Sequence, residues 1–239
     1  GYTVRLSADG TTLAVGAPGY QLGTTDGTVY TFTQNNGSWI RQADIKPNYG
    51  NTGDSFGEDL SLSADGNTLA VGAVGERSSA RGVNGDQSDN SAFAAGAAYV
   101  FSRQQGDWTQ QAYLKSSNHN RGDTFGTAVS LSADGSLLAV GATNERSNAS
   151  GVNGDQFDVS LEGAGAVYLF SLRENDWRQT AYLKARNGDV YDYFGKNLSL
   201  SADGNTLAVV AQQEGKNYVN KPGPYDRPLF YKSGAVYLY

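Results

Sequence analysis

Cysteine and methionine are absent from this chain, and histidine occurs once, as His119. Without cysteine there are no disulfide bonds, thiolate nucleophiles or cysteine metal sites, and a single histidine excludes a histidine-rich metal site. The lack of methionine, including at position 1, indicates a processed or truncated piece of a longer chain. No apolar run approaches the ~20 residues of a membrane-spanning helix, so no membrane span is expected.

Basic residues are also in deficit. The 239 residues contain 18 Lys and Arg against 24 Asp and Glu, for a formal net charge of −6. A protein that grips a phosphate backbone needs a basic surface, so we expect no nucleic-acid partner. The chain is nevertheless long enough to bury a sizeable core without metal or disulfide staples.

What the chain has in abundance is internal repetition. Leu-Ser-Ala-Asp-Gly occurs four times and is followed each time by Leu-Ala-Val and then by a Gly-x-x-Tyr run. Asp-x-Phe-Gly closes the first three copies. The repeats therefore span residues 1–56, 57–125, 126–194 and 195–239, and the two 69-residue units are identical at 40 positions. No linker or shift in composition divides them, which indicates one domain over residues 1–239.

Each unit is predicted to form four short strands. In the second unit these are Asp59–Ser63, Thr68–Ala73, Ala97–Ser102 and Trp108–Leu114. The second is apolar throughout, as in a strand covered on both faces, whereas the fourth alternates and suits an outer strand. Repeated four-stranded units predict an all-β fold, a β-propeller of four-stranded blades. We interpret the many Tyr, Phe and Trp residues as packing between blades.

The fourth unit stops after its third strand, so the visible repeats do not make a closed ring of complete blades. Two interpretations stay open: a fragment of a larger ring, for example of seven blades, or a four-unit ring with a three-stranded last blade. We favour the fragment, because a bare strand edge invites unwanted pairing. The same edge, Val236–Tyr239, predicts self-association in which a partner strand completes the blade.

The Phe-Gly and Gly-Ala pairs of each unit resemble the FG-GAP repeat of the integrin α-subunit β-propeller. Phe56-Gly57 is followed by Gly72-Ala73, Phe125-Gly126 by Gly141-Ala142, and Gly16-Ala17-Pro18 spells the second half of the motif. The longer repeat is similar to FG-GAP-rich extracellular proteins of bacteria. This resemblance, which covers the whole chain, implies an extracellular or cell-surface role in adhesion, ligand recognition or carbohydrate binding, frequently with calcium. It does not imply an enzyme.

The turn between the first two strands departs from the calcium loop of integrin-type repeats. Ser63-Ala64-Asp65-Gly66 and its three counterparts have one carboxylate each, too few for the 6–8 oxygen ligands that calcium prefers. Asp9, Asp65, Asp134 and Asp203 are therefore predicted to brace turns rather than to bind calcium.

A different calcium site is predicted in the long loops at residues 76–90 and 145–159, which share Gly-Val-Asn-Gly-Asp-Gln-x-Asp. Hard oxygen donors at near-alternating spacing, with a glycine for the bend, suit a calcium ion. The alternative is a loop in which Asn and Asp satisfy backbone amides. The candidate ligands are Asn84, Asp86, Asp89, Asn153, Asp155 and Asp158, with Glu76 and Glu145 completing the two shells.

The fourth unit has an unrelated insert, Glu214–Lys232, rich in Tyr, Pro and Lys. An aromatic, partly basic loop suits stacking on a sugar or gripping a partner chain, and the alternative is an insert that packs on its neighbour. The candidate ligand- or partner-binding residues of this insert are Tyr218, Tyr225, Arg227, Phe230 and Tyr231. His119 is predicted to be a solvated loop residue.

These observations predict a non-enzymatic extracellular recognition or adhesion module. Its loops would bind a glycan or an extracellular protein, with calcium as the one possible cofactor and no catalytic residue. One alternative is a structural assembly module completed by a partner chain. The other is a carbohydrate-active propeller enzyme, for which two carboxylates suffice, although no unique acidic pair stands out.

Overall fold

The computed structural model describes residues 1–19, 27–215 and 233–239, and its strands form four antiparallel sheets. Each sheet is one blade and contains one sequence repeat. Blade 1 contains β1 (Thr3–Leu6), β2 (Thr12–Ala17), β3 (Thr28–Asn35) and β4 (Ser38–Ile45). Blade 2 contains β5 (Phe56–Leu62), β6 (Thr68–Ala73), β7 (Ala97–Gln104) and β8 (Asp107–Leu114).

The third and fourth sheets follow the same order. Blade 3 contains β9 (Phe125–Leu131), β10 (Leu137–Ala142), β11 (Gly151–Val152), β12 (Ala166–Arg173) and β13 (Asp176–Lys184). Blade 4 contains β14 (Phe194–Leu200), β15 (Leu207–Ala211) and β16 (Ala235–Leu238). In each blade the strands pair as a meander from the inner strand outward, with the short β11 added at the outer edge of blade 3. The predicted all-β architecture of propeller blades is therefore confirmed.

Several strand ends in blade 2 differ from the predicted bounds by one or two residues, and two differences are larger. The first strand of blade 2 begins at Phe56 rather than Asp59. A bulge between Phe56 and Leu60, with Gly57 at φ 97°, shifts the register so that β5 pairs with β6 on both sides of it. Blade 3 has five strands rather than four, since the short β11 adds to the outer strand β13. By contrast, β6 has the predicted bounds, and blade 4 has the predicted three strands.

The core consists of three interfaces between successive blades rather than one central cluster. At the first interface, Ala14, Val29 and Ile45 of blade 1 pack against Phe56, Leu60, Leu69, Val71, Tyr99, Phe101 and Tyr113 of blade 2. The other two interfaces repeat this contact of small residues against large ones. Phe56 contacts Tyr99 and Phe101 edge-on, with ring centroids 5.4 Å and 5.9 Å apart. The aromatic residues therefore fill the space between blades, as predicted.

Glycine pairs allow the inner strands of neighbouring blades to touch through their backbones. A Cβ placed on Gly72 would lie 2.0 Å from the carbonyl oxygen of Gly126, and one on Gly126 would lie 2.2 Å from that of Ala97. Gly126 also has φ 93°, a conformation that favours glycine. Thus the Phe-Gly and Gly-Ala pairs are needed where the blades approach most closely.

The Ser-Ala-Asp-Gly turns are braced as predicted. Asp65 Oδ1 accepts hydrogen bonds from Ser63 Oγ at 2.6 Å and from the Asn67 backbone N–H at 3.0 Å. The equivalent bonds recur around Asp9, Asp134 and Asp203.

The part of the chain that the structure describes contains no helix that could span a membrane.

Candidate functional site

The long loops and the connections between blades lie at one end of the sheets. Each β6–β7 or β10–β12 loop follows a strand that ends there, and the antiparallel outer strand returns to the same end. We call this end the loop face; it comprises residues 74–96, 115–124, 143–165 and 185–193. Loops on a rigid scaffold commonly carry binding, so a binding site is expected on this face.

A buried ion pair anchors each long loop to the outer strand of its own blade. Lys115 Nζ lies 2.6 Å from Glu76 Oε2, and Lys184 Nζ lies 2.7 Å from Glu145 Oε2. All four side chains are at most 3% exposed. Burial lowers the pKa of Lys115, while the charge of Glu76 opposes that shift. Glu76 and Glu145, the residues predicted to complete the calcium shells, thus neutralise buried lysines.

The two loop asparagines fasten the loops to the outer strands. Asn84 Oδ1 accepts the Tyr113 N–H at 2.9 Å, and the Asn84 N–H donates to the Tyr113 carbonyl at 2.8 Å. Asn153 makes the same two bonds with Tyr182. Both asparagines have φ 54°, which asparagine tolerates better than most residues. Their side-chain oxygens serve as acceptors for the strand.

The loop aspartates bind donors of their own loop. Asp86 Oδ1 accepts from the backbone N–H and the hydroxyl of Ser88, and Asp155 Oδ1 accepts from the Phe157 N–H. Asp89 and Asp158 accept from the backbone N–H groups of Ser79 and Asn148 across the loop. Hydrogen bonds from the hydroxyl and the backbone N–H of Ser79, and from the hydroxyl of Ser91, hold the pKa of Asp89 well below its ordinary value.

The predicted calcium ligands of both loops are engaged by hydrogen-bond donors of the protein. Each candidate carboxylate or amide accepts hydrogen bonds from protein donors, and no group of three or more His, Cys, Asp or Glu residues in the described ranges is placed to hold a metal ion. The arrangement matches the alternative in which the loop satisfies its own backbone. Calcium binding at these loops stays a prediction.

The aspartate of each Asp-x-Phe-Gly motif is buried beneath the loop face. Asp123 is 1% exposed, and its Oδ2 accepts the Asn120 N–H at 2.6 Å. Burial, with a contribution from the Glu145 charge, raises the pKa of Asp123 to about 7.

The prediction that His119 is a solvated loop residue was wrong, since it is 6% exposed and its Nε2 lies 2.8 Å from the Ser79 carbonyl oxygen. It is enclosed because the long loop of blade 2 folds over it.

A pocket of about 350 Å³ opens on the loop face between blades 3 and 4. Its lining combines two aromatic rings, one guanidinium, one carboxylate and one amide. The residues are Gly122, Asn144, Arg146, Glu162, Gly163, Tyr191 and Tyr193. The Tyr191 and Tyr193 rings lie 6.2 Å apart at 46°, so they present two tilted apolar surfaces beside the polar groups.

Hydrogen bonds hold this pocket in shape. Tyr191 Oη donates to Glu162 Oε2 at 2.6 Å, and the Tyr193 N–H donates to the Gly163 carbonyl at 3.0 Å. Arg146 Nη2 donates to the Arg121 carbonyl at 2.7 Å. Tyr191 and Tyr193 have φ 61° and 55°, and their counterparts Gly122 and Thr124 at the preceding junction have φ 84° and 56°. The left-handed backbone is therefore a feature of the repeat, and the side chains are what differ at this junction.

The pocket residues depart from the repeat, and this departure is the feature of the sequence that points to them. Tyr191 stands where the previous unit has Gly122, and Glu162 stands where it has Phe93. Asn144 and Tyr193 likewise replace Gly75 and Thr124. Residues that serve inter-blade packing recur in each unit, so these substitutions at one junction are not required by the fold. The insert residues Tyr218, Tyr225, Arg227, Phe230 and Tyr231 lie outside the described residues.

Comparison with protein families finds one match. The FG-GAP repeat family matches residues 39–101 and 108–170, which together exceed half of the chain. No curated protein matches the sequence.

Solved structures resemble the chain in fold alone. U3-55K aligns with a TM-score of 0.51 and 10% identity over 98% of this chain and 50% of that one. Kuenenia stuttgartiensis hydrazine synthase aligns with a TM-score of 0.51 and 14% identity over 86% and 54%. A putative 6-phosphogluconolactonase from Bacteroides uniformis aligns with a TM-score of 0.44 and 13% identity over 86% and 46%. The chain thus spans about half the length of each of these three structures.

Proposed function

Because this chain belongs to the FG-GAP repeat family, we propose that it is a non-enzymatic extracellular recognition module that binds a glycan in the pocket between blades 3 and 4. FG-GAP repeats are typical of extracellular proteins. The observation that carries the proposal is the pocket in which the rings of Tyr191 and Tyr193 lie beside Arg146 and Glu162.

The chemistry of the pocket suits a small sugar. Its volume of about 350 Å³ is at the lower end of small-molecule sites, enough for one or two sugar rings. Tyrosine presents an apolar ring and a polar hydroxyl at low entropic cost, so it can cover the C–H face of a sugar while Glu162, Arg146 and Asn144 meet its hydroxyl groups. The net charge of −6 favours a neutral sugar over an acidic one.

Binding without turnover is the expected behaviour. The polar groups of the pocket are one carboxylate, one guanidinium and one amide, and Tyr191 Oη already donates to that carboxylate. A glycosidase needs two carboxylates that flank the scissile bond. The pocket residues supply one, since the carboxylate of Asp123 is buried behind Arg146.

A glycan array of neutral and acidic mono- to tetrasaccharides, read with and without EDTA, tests the proposal. We expect binding of neutral glycans and no release of reducing ends from the glycans that bind. Loss of glycan binding in EDTA would indicate a role for calcium. Glycan binding that persists in EDTA would show that the protein's own groups are sufficient for it.

Tyr191→Gly is the decisive variant. It restores the residue that the preceding repeat has at this position, relieves the positive φ, and removes one ring from the pocket. We expect at least a tenfold loss of glycan affinity with unchanged or increased stability. Tyr49→Gly, at a tyrosine that is 57% exposed elsewhere, is the matched control and should bind as the parent does. Equal binding by both variants would refute the assignment of the pocket.

A further inference from the structure

A second cavity lies on the outer side of the molecule, between the outer strand β4 of blade 1 and the β7–β8 hairpin of blade 2. Its volume of about 500 Å³ exceeds the 350 Å³ of the loop-face pocket between blades 3 and 4, and the two cavities share no lining residue. Both of its walls belong to four-stranded blades that are paired within the chain. We call it the rim groove; its lining includes Gln42, Ile45, Asn48, Phe101, Trp108 and Gln110.

The buried part of this lining is apolar. Ile45 of blade 1 and Phe101 of blade 2 belong to the core between these blades and are 4% and 3% exposed. Trp108 packs against that core and is only partly buried, whereas its counterpart Trp177 at the next junction is 3% exposed. An indole ring at the wall of an open cavity offers an apolar surface to the C–H face of a sugar.

Side-chain amides border the rim groove, and hydrogen bonds across the junction fix their positions. Gln42 Nε2 donates to the Gly106 carbonyl at 2.9 Å, and Gln42 Oε1 accepts from Arg103 Nη1 at 3.0 Å. Gln110 Oε1 accepts the Asn48 N–H at 2.9 Å, a bond that engages only the backbone of the exposed Asn48. The groove is therefore formed before any ligand arrives, which lowers the entropic cost of binding.

The indole N–H of Trp108 distinguishes this junction from the next one. Across the junction of blades 2 and 3, Trp177 Nε1 donates to Gln111 Oε1 at 3.4 Å. At the junction of blades 1 and 2 the equivalent oxygen belongs to Gln42 and accepts from Arg103. Trp108 Nε1 is buried and has no acceptor within the described residues. A buried donor left unpaired beside a cavity calls for an acceptor from outside the protein, such as a ligand hydroxyl.

The charges of the lining favour an uncharged ligand. The lining contains two carboxylates and one ammonium, and Arg41 forms an ion pair with one of these carboxylates, Asp44. The remaining Asp107 and Lys46 carry opposite charges, so the groove has no net charge to attract an ionic ligand. Side-chain amides both donate and accept hydrogen bonds, as the hydroxyl groups of a sugar do.

We propose that the rim groove is a second glycan-binding site, which takes a neutral oligosaccharide. A sugar ring covers the accessible part of Trp108, and its hydroxyl groups meet the amides of Gln42, Asn48 and Gln110. The volume is enough for about two or three sugar rings. This site shares only its class of ligand with the loop-face pocket, so either site can bind a glycan if the other does not.

Calorimetric titration of the Tyr191→Gly variant with the neutral mono- to tetrasaccharides of the array tests the rim groove with the loop-face pocket impaired. We expect at least one glycan to bind and to shift the tryptophan emission, since no tryptophan lines the loop-face pocket. In this background Trp108→Phe, which removes the indole N–H, and Asn48→Ala, which keeps the backbone bond to Gln110, should each weaken binding by about fivefold or more. Trp39→Phe is the matched control, because Trp39 holds the same repeat position in blade 1 and does not line the groove. Circular dichroism checks that each variant folds.

The outcomes separate the two sites. Absence of glycan binding by Tyr191→Gly overturns the rim groove, as does equal binding by its Trp108→Phe and Trp39→Phe derivatives. Neutral peptides that shift the tryptophan emission where no glycan does also overturn it and assign the groove to a peptide. Glycan binding that is lost in Trp108→Phe alone and unaffected by Tyr191→Gly supports the rim groove and refutes the loop-face pocket.

Discussion

Removing the charge of Lys115 is expected to destabilise blade 2 strongly. Its side chain is 0% exposed, and its Nζ lies 2.6 Å from Glu76 Oε2. The other oxygen, Glu76 Oε1, accepts the Ser78 N–H at 2.9 Å. Lys115→Met keeps an unbranched aliphatic side chain in place, so the main change is that Glu76 becomes a buried carboxylate without a counter-charge.

The expected magnitude follows from burial. Removing one partner of a buried ion pair costs about 3–5 kcal/mol, because the remaining charge stays desolvated. In a domain of this size each kcal/mol lowers the melting temperature by about 2–4 °C, so Lys115→Met should melt on the order of 10 °C below the parent. Adding Glu76→Leu removes the stranded charge and should recover most of the loss.

Urea unfolding followed by tryptophan fluorescence measures these differences. Lys196→Met makes the same chemical change at an exposed lysine and should stay within about 0.5 kcal/mol of the parent. Lys184→Met removes the equivalent charge in blade 3, where Lys184 Nζ lies 2.7 Å from Glu145, and should cost about as much as Lys115→Met. If Lys115→Met behaves like Lys196→Met, the buried pair does not anchor the loop and the reasoning fails.

Two further predictions concern the blade junctions and the buried aspartates. Gly126→Ala should destabilise the chain by at least about 3 kcal/mol, because its Cβ would clash with the Ala97 carbonyl. Gly82→Ala, at a similar φ but in open space, should cost about 1 kcal/mol. Equal losses of stability in urea unfolding would contradict the close approach of the blades at Gly126. Asp123 holds its proton up to about pH 7 in the folded state but only to about pH 4 when unfolded. The folded state thus binds more protons between these values, so stability should fall by up to about 4 kcal/mol as pH rises through that window. Asp123→Asn should flatten the fall, and an unchanged slope between pH 4 and 7 would count against the raised pKa.

Most of the architecture could be predicted from the repeat in the sequence. Leu-Ser-Ala-Asp-Gly and Leu-Ala-Val recur in phase, so the bounds of β6 and the three-stranded blade 4 could be predicted from local pattern. Residue type alone also predicted the turn role of Asp65. The addition of β11 to the outer strand of blade 3 was missed, because a two-residue strand has no periodicity to detect.

The roles of the candidate site residues could not be predicted from the sequence. Asn84 and Asp89 have the residue types and spacing of calcium ligands, and the same features suit hydrogen bonds that close a loop on itself. Which donors reach those oxygens depends on Tyr113 and Ser79, brought close by strand pairing and by the fold of the loop. Spacing along the chain does not distinguish the two arrangements.

The sequence by itself determined that this protein is a series of small twisted sheets with turns braced by aspartate, because those features depend on local pattern repeated in phase. Only the tertiary structure decided that Glu76 and Glu145 neutralise buried lysines and that Tyr191, Tyr193 and Arg146 line one pocket. The physical reason is that both features depend on contacts between residues far apart in the chain. Each ion pair joins residues 39 positions apart that strand pairing brings together within one blade. The pocket forms where the loop of blade 3 meets the connection to blade 4.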